Sequence, residues 1–315
     1  MSLKTLEQFK STVDPAKATV ISYCNLISIF GGPLTPQPRK VIRPKSCRDA
    51  FVNWTKTERV DLYERIVLPE SYQDWNDFDT YSDLLGFEQD LGYLASAVVI
   101  FLECPGAIAE LGAFSQIPSL RDLLFIIVDS THYKSKSFIK LGPIRHIQET
   151  HKKPKSIFVA PLIRAAKDFD DHVPAVVKNL EEEKLNKKPS TVAFSDKDNQ
   201  HGILLALDVI KLFTLVSVTE VQEVLAHFGV KYQLRRVKQI LFTLIQTKLI
   251  EEKEYGDNTF YEATSKDGAY IDYTSLIIGK PFHRERIKAQ AWKEVQNDPY
   301  RKNARTSSPK TRLLR

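Results

Sequence analysis

The chain has few features that could stabilise a fold by means other than a hydrophobic core. It contains only three cysteines, Cys24, Cys47 and Cys104, and their spacings fit neither a disulfide framework nor a zinc site. We therefore expect a reducing, cytoplasmic environment and no bound metal. The sequence also lacks an apolar run of membrane-spanning length, and its first residues lack the apolar segment of a secretory signal, so we expect no membrane association.

Several signatures of well-known chemistry are also absent from the sequence. There is no Walker A loop and no G-x-S-x-G motif, and the seven histidines are scattered without an evident cysteine or serine partner. What the chain does have is a 43% share of hydrophobic residues, with 17 phenylalanines among them. This composition can form a sizeable core, and a length of 315 residues fits two domains.

The net charge of +6 is distributed unevenly along the chain. From Lys280 to the end, eleven basic residues stand against three acidic ones, which gives this segment a charge of +8 and leaves −2 for the remainder. The basic character therefore belongs to the C-terminal end, and it predicts a polyanionic partner there.

The most informative stretch lies between residues 97 and 114. Residues 97–102 form an unbroken apolar run, which is typical of a parallel strand covered on both faces. A Glu-Cys-Pro-Gly turn at residues 103–106 breaks the pattern, and residues 107–114 resume it with helical spacing. Ligands of α/β sheets bind beyond the carboxyl ends of the strands. We therefore expect Glu110, on the first turns of this helix, to face a ligand crevice, where the helix dipole favours its ionised form.

A carboxylate at this place suits the cleavage of an N-glycosidic bond. That reaction passes through an oxocarbenium-like transition state, which a carboxylate beside the anomeric carbon can stabilise or attack. Gly106 in the preceding turn leaves room for the sugar of a nucleoside or nucleotide. The spacing from Gly106 to Glu110 is common, however, and carries little weight by itself.

Two further features accompany the central stretch. A predicted strand at residues 23–30 ends on Gly31, Gly32 and Pro33, which form either a plain turn or a loop whose N–H groups meet phosphate or ribose oxygens. Glu88 lies on a predicted helix at residues 81–96. It is either a solvated helix position, which its spacing alone favours, or a second active-site carboxylate.

The alternation of strands and helices up to about residue 165, with a further strand at residues 60–67, predicts an α/β fold with a small doubly wound parallel sheet. From the composition we predict four consecutive regions. They are a catalytic domain at 1–170, a charged helix and linker at 171–200, a second domain at 201–275 and a basic tail at 276–315.

The second domain reads as a winged helix-turn-helix. Three predicted helices are followed by two strands around a Tyr-Gly-Asp-Asn turn at residues 255–258. The third helix would be the recognition helix, and it carries Arg235, Arg236 and Lys238 as candidate contacts to a nucleic-acid backbone. Many winged helices pack against protein, so protein contact is an equally good interpretation.

The tail combines basic residues, including Arg301, Lys302 and Arg305, with aromatic ones. It is either a solvated, partly disordered end or a flexible arm on a nucleic acid.

The segment Gly106-Ala-Ile-Ala-Glu110-Leu-Gly112 resembles the nucleoside 2-deoxyribosyltransferases, in which a similar segment carries the nucleophilic glutamate. The longer segment ECPGAIAELGAF, together with KSKSFIKLGPIR at residues 134–145, resembles a narrower group, the effectors of bacterial type II retrons. In that group such a domain precedes a C-terminal winged helix. The resemblance extends from about residue 23 to residue 273.

The resemblance implies a toxic effector of an anti-phage defence system. Such effectors are held inactive in an assembly with a reverse transcriptase and its branched RNA–DNA hybrid (msDNA), and on infection they hydrolyse NAD and stop growth. NAD is the substrate, and no further cofactor is implied. By position, Glu110 matches the catalytic glutamate, Gly106 the loop glycine and Glu88 an acid of the group.

One departure from the wider family concerns the turn before the catalytic glutamate. The transferases carry an aspartate there, whereas Glu103 and Pro105 occupy this turn, so ordinary deoxynucleoside transfer is in doubt. Glu88 and Glu103 are then expected to support Glu110. The alternatives are a nucleic-acid-binding regulator whose α/β domain senses a nucleotide, and a nucleoside deoxyribosyltransferase or nucleotide N-glycosidase.

Overall fold

The computed structural model describes residues 2–35, 43–72, 80–151, 156–160, 166–186, 191–264, 268–277 and 281–306. The strands are β1 (Val13–Val20), β2 (Leu26–Phe30), β3 (Ile66–Val67), β4 (Ala95–Phe101), β5 (Leu124–Asp129), β6 (Ile157–Ala160), β7 (Val192–Ala193), β8 (Ile250–Tyr255), β9 (Asn258–Ala263) and β10 (Ile271–Ser275). Within these ranges, no helix is both long and apolar enough to cross a membrane.

The α-helices alternate with these strands in the first two thirds of the chain and then become longer. They are α1 (Lys4–Thr12), α2 (Cys47–Glu58), α3 (Val60–Tyr63), α4 (Leu84–Leu94), α5 (Pro105–Phe114), α6 (Pro118–Arg121), α7 (Ser130–Lys134), α8 (Arg145–His151), α9 (Val173–Leu180), α10 (Asn199–Phe213), α11 (Val218–His227), α12 (Leu234–Gln246), α13 (Arg284–Asn297) and α14 (Pro299–Thr306).

These elements form two compact units, and each unit is assembled from separate parts of the chain. One unit, here called the α/β unit, consists of residues 24–73 and 91–188. The other, here called the C-terminal unit, combines residues 189–315 with residues 1–23 and 74–90. The division therefore differs from the four consecutive regions expected from the sequence, because the N-terminal residues fold with the C-terminal ones.

The α/β unit is built on a five-stranded sheet in the order β3-β2-β4-β5-β6. Every neighbouring pair is parallel, with Ile27 of β2 opposite Ala97 of β4, for example. The predicted α/β class and parallel sheet are thus confirmed. The order of the strands reverses between β2 and β4, and it is at such a switch point that doubly wound sheets bind their ligands.

Both faces of this sheet are covered. Ile29 and Phe101 on one face belong to an apolar cluster with Phe51 of α2 and Val176 of α9. On the other face the ring of Phe30 lies 5.3 Å from that of Phe114 in α5. Successive side chains of a strand point to opposite faces, so a sheet buried on both sides has strands without polar alternation. This is why the central strands appear in the sequence as unbroken apolar runs.

The strand predicted at residues 60–67 is wrong for most of its length. Residues 60–63 form the single helical turn of α3, and only Ile66 and Val67 pair with β2. Leu62 is buried while Val60 is 52% exposed. The spacing of Val60 and Leu62 is that of one face of a strand, but in the helical turn residues two positions apart lie on opposite sides, and only Leu62 faces the core.

The C-terminal unit contains an antiparallel sheet in the order β10-β1-β7 and the hairpin β8-β9. The expected order of three helices followed by a hairpin is present as α10, α11, α12, β8 and β9. The residues of β1 and α1 read as a short lead-in from the sequence alone. In the structure β1 is the central strand of the three-stranded sheet, paired with β10 along one edge and β7 along the other.

A buried carboxylate joins three elements of this unit. Asp208 of α10 is fully buried and accepts hydrogen bonds from the Tyr270 amide at 2.8 Å and the Tyr273 hydroxyl at 2.6 Å. The guanidinium of Arg284, at the start of α13, donates to the same carboxylate at 2.9 Å. Burial, with the charge of Asp208 second, raises the pKa of Tyr273, so this hydroxyl keeps its proton and remains a donor.

The predicted basic tail is folded as far as residue 306. Arg301 of α14 is 2% exposed, and its guanidinium donates to the Leu215 carbonyl at 2.6 Å and to Glu220 at 2.7 Å. Glu220 in turn accepts from the Leu3 amide at 2.9 Å. The expectation of a solvated end or flexible arm is therefore wrong for residues 284–306, since α13 and α14 are integral to the unit. Residues 307–315 lie outside the described residues.

We expect Asp208→Asn to lower the free energy of unfolding by about 3 kcal/mol, because it leaves the Arg284 guanidinium without its buried counter-charge. Asp272→Asn, an exposed position on β10, is the matched control and should change stability by less than about 0.5 kcal/mol. Urea denaturation of both variants measures the difference. Equal midpoints for the two variants would show that the Asp208 network does not stabilise the unit.

Candidate active site

The carboxyl ends of β2 and β4 meet at one edge of the parallel sheet. Gly31 and Gly32 follow β2, and Glu103 follows β4 by two residues. Helix α2 begins at Cys47 beside both loops, and α5 begins at Pro105. The structure therefore brings together at the switch point of the sheet the two loops that the sequence singled out.

Glu103 ties these loops together through backbone N–H groups. One carboxylate oxygen accepts from the Gly32 amide and the Arg48 amide, both at 3.0 Å, and the other accepts from the Cys47 amide at 2.7 Å. Cys47 and Arg48 are the first residues of α2, where free N–H groups and the helix dipole favour a negative charge. Both oxygens of Glu103 are thus engaged by the backbone, so its contacts position the two loops, and its expected support of Glu110 stays a prediction.

The two glycines are required by the close approach of these loops. A Cβ atom on Gly32 would lie 2.6 Å from the Ser46 Cβ atom and 2.9 Å from a Glu103 oxygen. Gly31 has a φ of +152°, and its Cβ atom would lie 2.8 Å from that of Phe101. The carbonyl of Pro33 accepts a hydrogen bond from the Ser46 hydroxyl at 2.9 Å. The packing of the loops thus explains these residues without a ligand.

Arg48 is the residue of this site that the sequence reasoning missed. Its side chain is fully buried, and one terminal nitrogen lies 3.3 Å from the Gly31 carbonyl and 3.4 Å from that of Gly32. Glu70, whose side chain is 60% exposed, binds the guanidinium through both oxygens. The Nε atom of Arg48 is buried and has no hydrogen-bond partner among the described residues.

A signal for Arg48 was present in the sequence. It lies three residues before Phe51, a spacing that places both residues on the same side of a helix, so an apolar Phe51 indicates that Arg48 also faces inward. A cation on the buried side of a helix requires a polar or charged partner. This requirement marks Arg48 as a candidate functional or structural residue.

Glu110 lies in the second turn of α5 and is half-buried. Its Oε2 atom is buried and, within the part of the chain that the structure describes, has no hydrogen-bond partner. Burial raises the pKa of this carboxyl to about 7, against the opposing effect of the Arg48 charge and with a smaller contribution from Glu70. The helix dipole was expected to favour the ionised form of Glu110. Its effect is smaller than that of burial, since it is confined to the first turn of the helix.

The two motif glycines of α5 differ in their relation to Glu110. Gly106 is one turn earlier on the same side of the helix, and among the described residues a Cβ atom there would meet only the Cys104 sulfur, at 4.0 Å. The described residues therefore leave space next to the carboxylate. Gly112 is two residues further on, which places it on the opposite side, and it is exposed with no described atom near its Cβ position. Gly106, and not Gly112, thus lies on the side of the helix that carries Glu110.

Glu88 belongs to the C-terminal unit, in the segment 74–90, whereas Glu110 belongs to the α/β unit. It is 8% exposed, so the interpretation of Glu88 as a solvated helix position is wrong. The α/β unit itself supplies Glu110, Arg48 and Glu103 at this edge of the sheet, and the expected supporting role of Glu88 stays a prediction.

The thiol of Cys47 keeps its proton near neutral pH. Burial, and then the charge of Glu103, raises the pKa of the Cys47 thiol to about 12. The Cys104 sulfur accepts a hydrogen bond from the Ala107 amide at 3.5 Å and so caps α5. Among the described residues no group of three or more His, Cys, Asp or Glu side chains is placed to hold a metal ion.

The cations predicted to contact a nucleic acid fall into two groups. Arg236 of α12 binds both oxygens of Asp90, which is 2% exposed, and one of these contacts measures 2.7 Å. Like the buried Arg301, it serves the folding of its own unit, which corrects the expectation that both meet phosphates. The cations that remain exposed are Arg235, Lys238 and Lys302.

The anchoring role of Glu103 has a direct consequence for the backbone. In Glu103→Ala, we expect hydrogen exchange at the amides of Gly32, Cys47 and Arg48 to accelerate by about 10–100-fold, since each loses a charge-assisted hydrogen bond. Glu58→Ala, at the other end of α2, is the control and should leave these amides unchanged. Protection that survives in Glu103→Ala would mean that the loops hold their positions without the carboxylate.

Comparison with known proteins agrees with the retron resemblance. The chain matches the family described as "STM3845 retron effector protein" over residues 44–252. It is 26% identical over 220 residues to the Escherichia coli protein named "Retron Ec86 putative ribosyltransferase/DNA-binding protein", a match that covers 65% of this chain and 67% of that protein. A second Escherichia coli protein, "Retron Ec73 putative ribosyltransferase/DNA-binding protein", is 40% identical over 74 residues, 23% of each chain. Since the family match covers more than half of its length, this chain belongs to the STM3845 retron effector protein family.

Proposed function

We propose that this retron effector is an N-glycosidase that hydrolyses NAD to nicotinamide and ADP-ribose, with Glu110 as its catalytic carboxylate. The observation that carries the proposal is the state of Glu110, a half-buried carboxylate whose buried Oε2 atom has no hydrogen-bond partner among the described residues, at the switch point of a parallel sheet. The two Escherichia coli relatives are named as ribosyltransferases, which is glycosyl-transfer chemistry.

The chemistry requires little more than this carboxylate. The bond between the ribose C1′ atom and the pyridinium nitrogen breaks, and its electron pair leaves with nicotinamide, which becomes neutral without gaining a proton. The ionised carboxylate stabilises the positive charge that develops on the ribose, or attacks C1′. Water then adds to C1′, and its proton is released. Because the leaving group needs no general acid, the absence of an aspartate in the turn at Glu103 is compatible with NAD as substrate.

Arg48 supports the ionised form of Glu110. Its positive charge lowers the pKa of Glu110 and offsets part of the rise that burial causes. A fraction of this carboxyl is therefore ionised near neutral pH. The unpartnered Nε atom of Arg48 is a buried donor that a ribose or phosphate oxygen of the substrate can satisfy. Gly106 leaves the space beside Glu110 that the sugar needs.

The proposal extends to the biological setting. The α/β unit would be a nucleoside deoxyribosyltransferase-like domain, and helices α10–α12 with the hairpin β8-β9 would form a winged helix. In that setting the effector is toxic to the phage-infected cell and is held inactive in an assembly with a reverse transcriptase and its msDNA. The family match and the "DNA-binding" part of the relatives' names support this extension.

We expect Glu110→Gln to lower the rate of nicotinamide release from NAD by at least about 100–1,000-fold, because it removes the charge that stabilises the oxocarbenium ion while keeping the shape of the side chain. Glu149→Gln, an exposed position on α8, serves as the control and should retain the parental rate. Chromatographic measurement of nicotinamide tests both variants. If Glu110→Gln hydrolyses NAD as fast as the parent, Glu110 is not the catalytic group.

The pH dependence of the reaction should report the raised pKa of Glu110. The carboxylate is the active form, so the rate should rise about tenfold per pH unit below pH 7 and level off above it. Arg48→Lys keeps a cation and should shift this profile little, whereas Arg48→Gln should move its midpoint to higher pH. A midpoint that stays near 4.5, the ordinary value for a glutamate, would contradict the burial of Glu110 in the working enzyme.

A further inference from the structure

The C-terminal unit contains a groove that the proposed chemistry does not use. It has a volume of about 480 Å³ and lies between α10, β9, α13 and α14. Its charged lining includes Lys211 of α10, Lys288 and Lys293 of α13, and Arg305 of α14. Trp292 of α13 forms part of the same wall.

The groove has an excess of positive charge. Four cations line it against two carboxylates, Glu262 and Glu285, and the Glu262 carboxylate is bound by Arg305 at 2.8 Å. Lys288 and Lys293 are exposed, and no ion pair joins either of them to a carboxylate in the described ranges. Both ammonium groups therefore remain available to an anion.

Trp292 lies outside the buried stripe of α13. That helix buries Ile287, Ala291 and Val295, whereas Trp292 is on its solvent side and is 38% exposed. The guanidinium of Arg305 lies 3.8 Å from the centre of the indole ring. A rigid aromatic ring held by a stacked cation at the wall of a basic groove is an arrangement on which a nucleobase can stack.

We propose that this groove binds a nucleotide unit of a single-stranded nucleic acid, with the base on the Trp292–Arg305 wall and the backbone phosphates at Lys288 and Lys293. The volume of the groove is within the range of sites for ligands of nucleotide size. The inference shares with the proposed function only the presence of a nucleic-acid partner. It adds a contact on α13 to the exposed Arg235 and Lys238 of the predicted recognition helix α12, where Arg236 is engaged by Asp90.

The test is binding of the full-length protein to a labelled single-stranded oligonucleotide, measured by fluorescence anisotropy at several salt concentrations. The double variant Lys288→Gln/Lys293→Gln should bind about tenfold more weakly and show a shallower salt dependence, because it releases fewer counterions. Trp292→Leu should lose a similar factor with the salt dependence unchanged, since stacking is not ionic.

The matched control is Lys4→Gln/Arg286→Gln, which removes two exposed cations outside the groove and changes the net charge by the same amount. Its affinity should stay close to that of the parent. Equal losses in the two double variants would overturn the proposal, because net charge alone would then explain the binding. An unchanged affinity in Trp292→Leu would also overturn it.

A competition experiment distinguishes two possible ligands of the groove, a nucleic-acid strand and a free nucleotide. Competition that strengthens with the length of an unlabelled oligonucleotide supports a nucleic-acid strand. If adenosine monophosphate competes as strongly as the oligonucleotide does, that result overturns the proposal of a nucleic-acid strand and assigns the groove to a free nucleotide. Trp292→Leu should release nicotinamide from NAD at the parental rate, so failure of this inference is distinguishable from failure at Glu110.

Discussion

The candidate active site depends on the carboxylate of Glu103, which accepts hydrogen bonds from the amides of Gly32, Cys47 and Arg48. These bonds attach the loop after β2 and the first turn of α2 to the loop after β4. Glycine is required on the first loop because a Cβ atom on Gly32 would overlap with its neighbours. Arg48 is held by the same contacts in a buried position from which its charge acts on Glu110. Glu103 thus acts on the half-buried Glu110 carboxylate through the position of Arg48.

The sequence could predict those parts of the site whose structure shows in the pattern of neighbouring residues. The buried strand and the helix that carries Glu110 follow from apolar periodicity, and the structure contains both. Pro105 and Gly106, expected in the turn between them, are the first residues of α5. Arg48 was not predicted, because its role depends on Glu70 and the glycine loop, which are brought to it by the fold. The composition of the two units could not be predicted either. The pairing of β1 with β10 joins residues more than 250 positions apart, and no local pattern encodes it.

The C-terminal unit shows why a count of charges does not locate a binding surface. The basic residues after position 279 suggested an exposed polycation, yet Arg284 and Arg301 are bound to Asp208 and Glu220, which are buried. Buried carboxylates need such partners, because an unpaired charge in the interior is strongly unfavourable. The cations that matter for recognition are those left exposed beside a surface of suitable shape, such as Lys288 and Lys293.

The most direct test of the central claim is a crystal structure of the Glu110→Gln protein with NAD. The account predicts that the anomeric carbon of the nicotinamide ribose lies about 3–3.5 Å from the side chain of residue 110, which is the distance of a near-attack arrangement. It also predicts that the Nε atom of Arg48 gains a ribose or phosphate oxygen as its partner. NAD bound away from α5, or bound with its nicotinamide ribose remote from residue 110, would contradict the account.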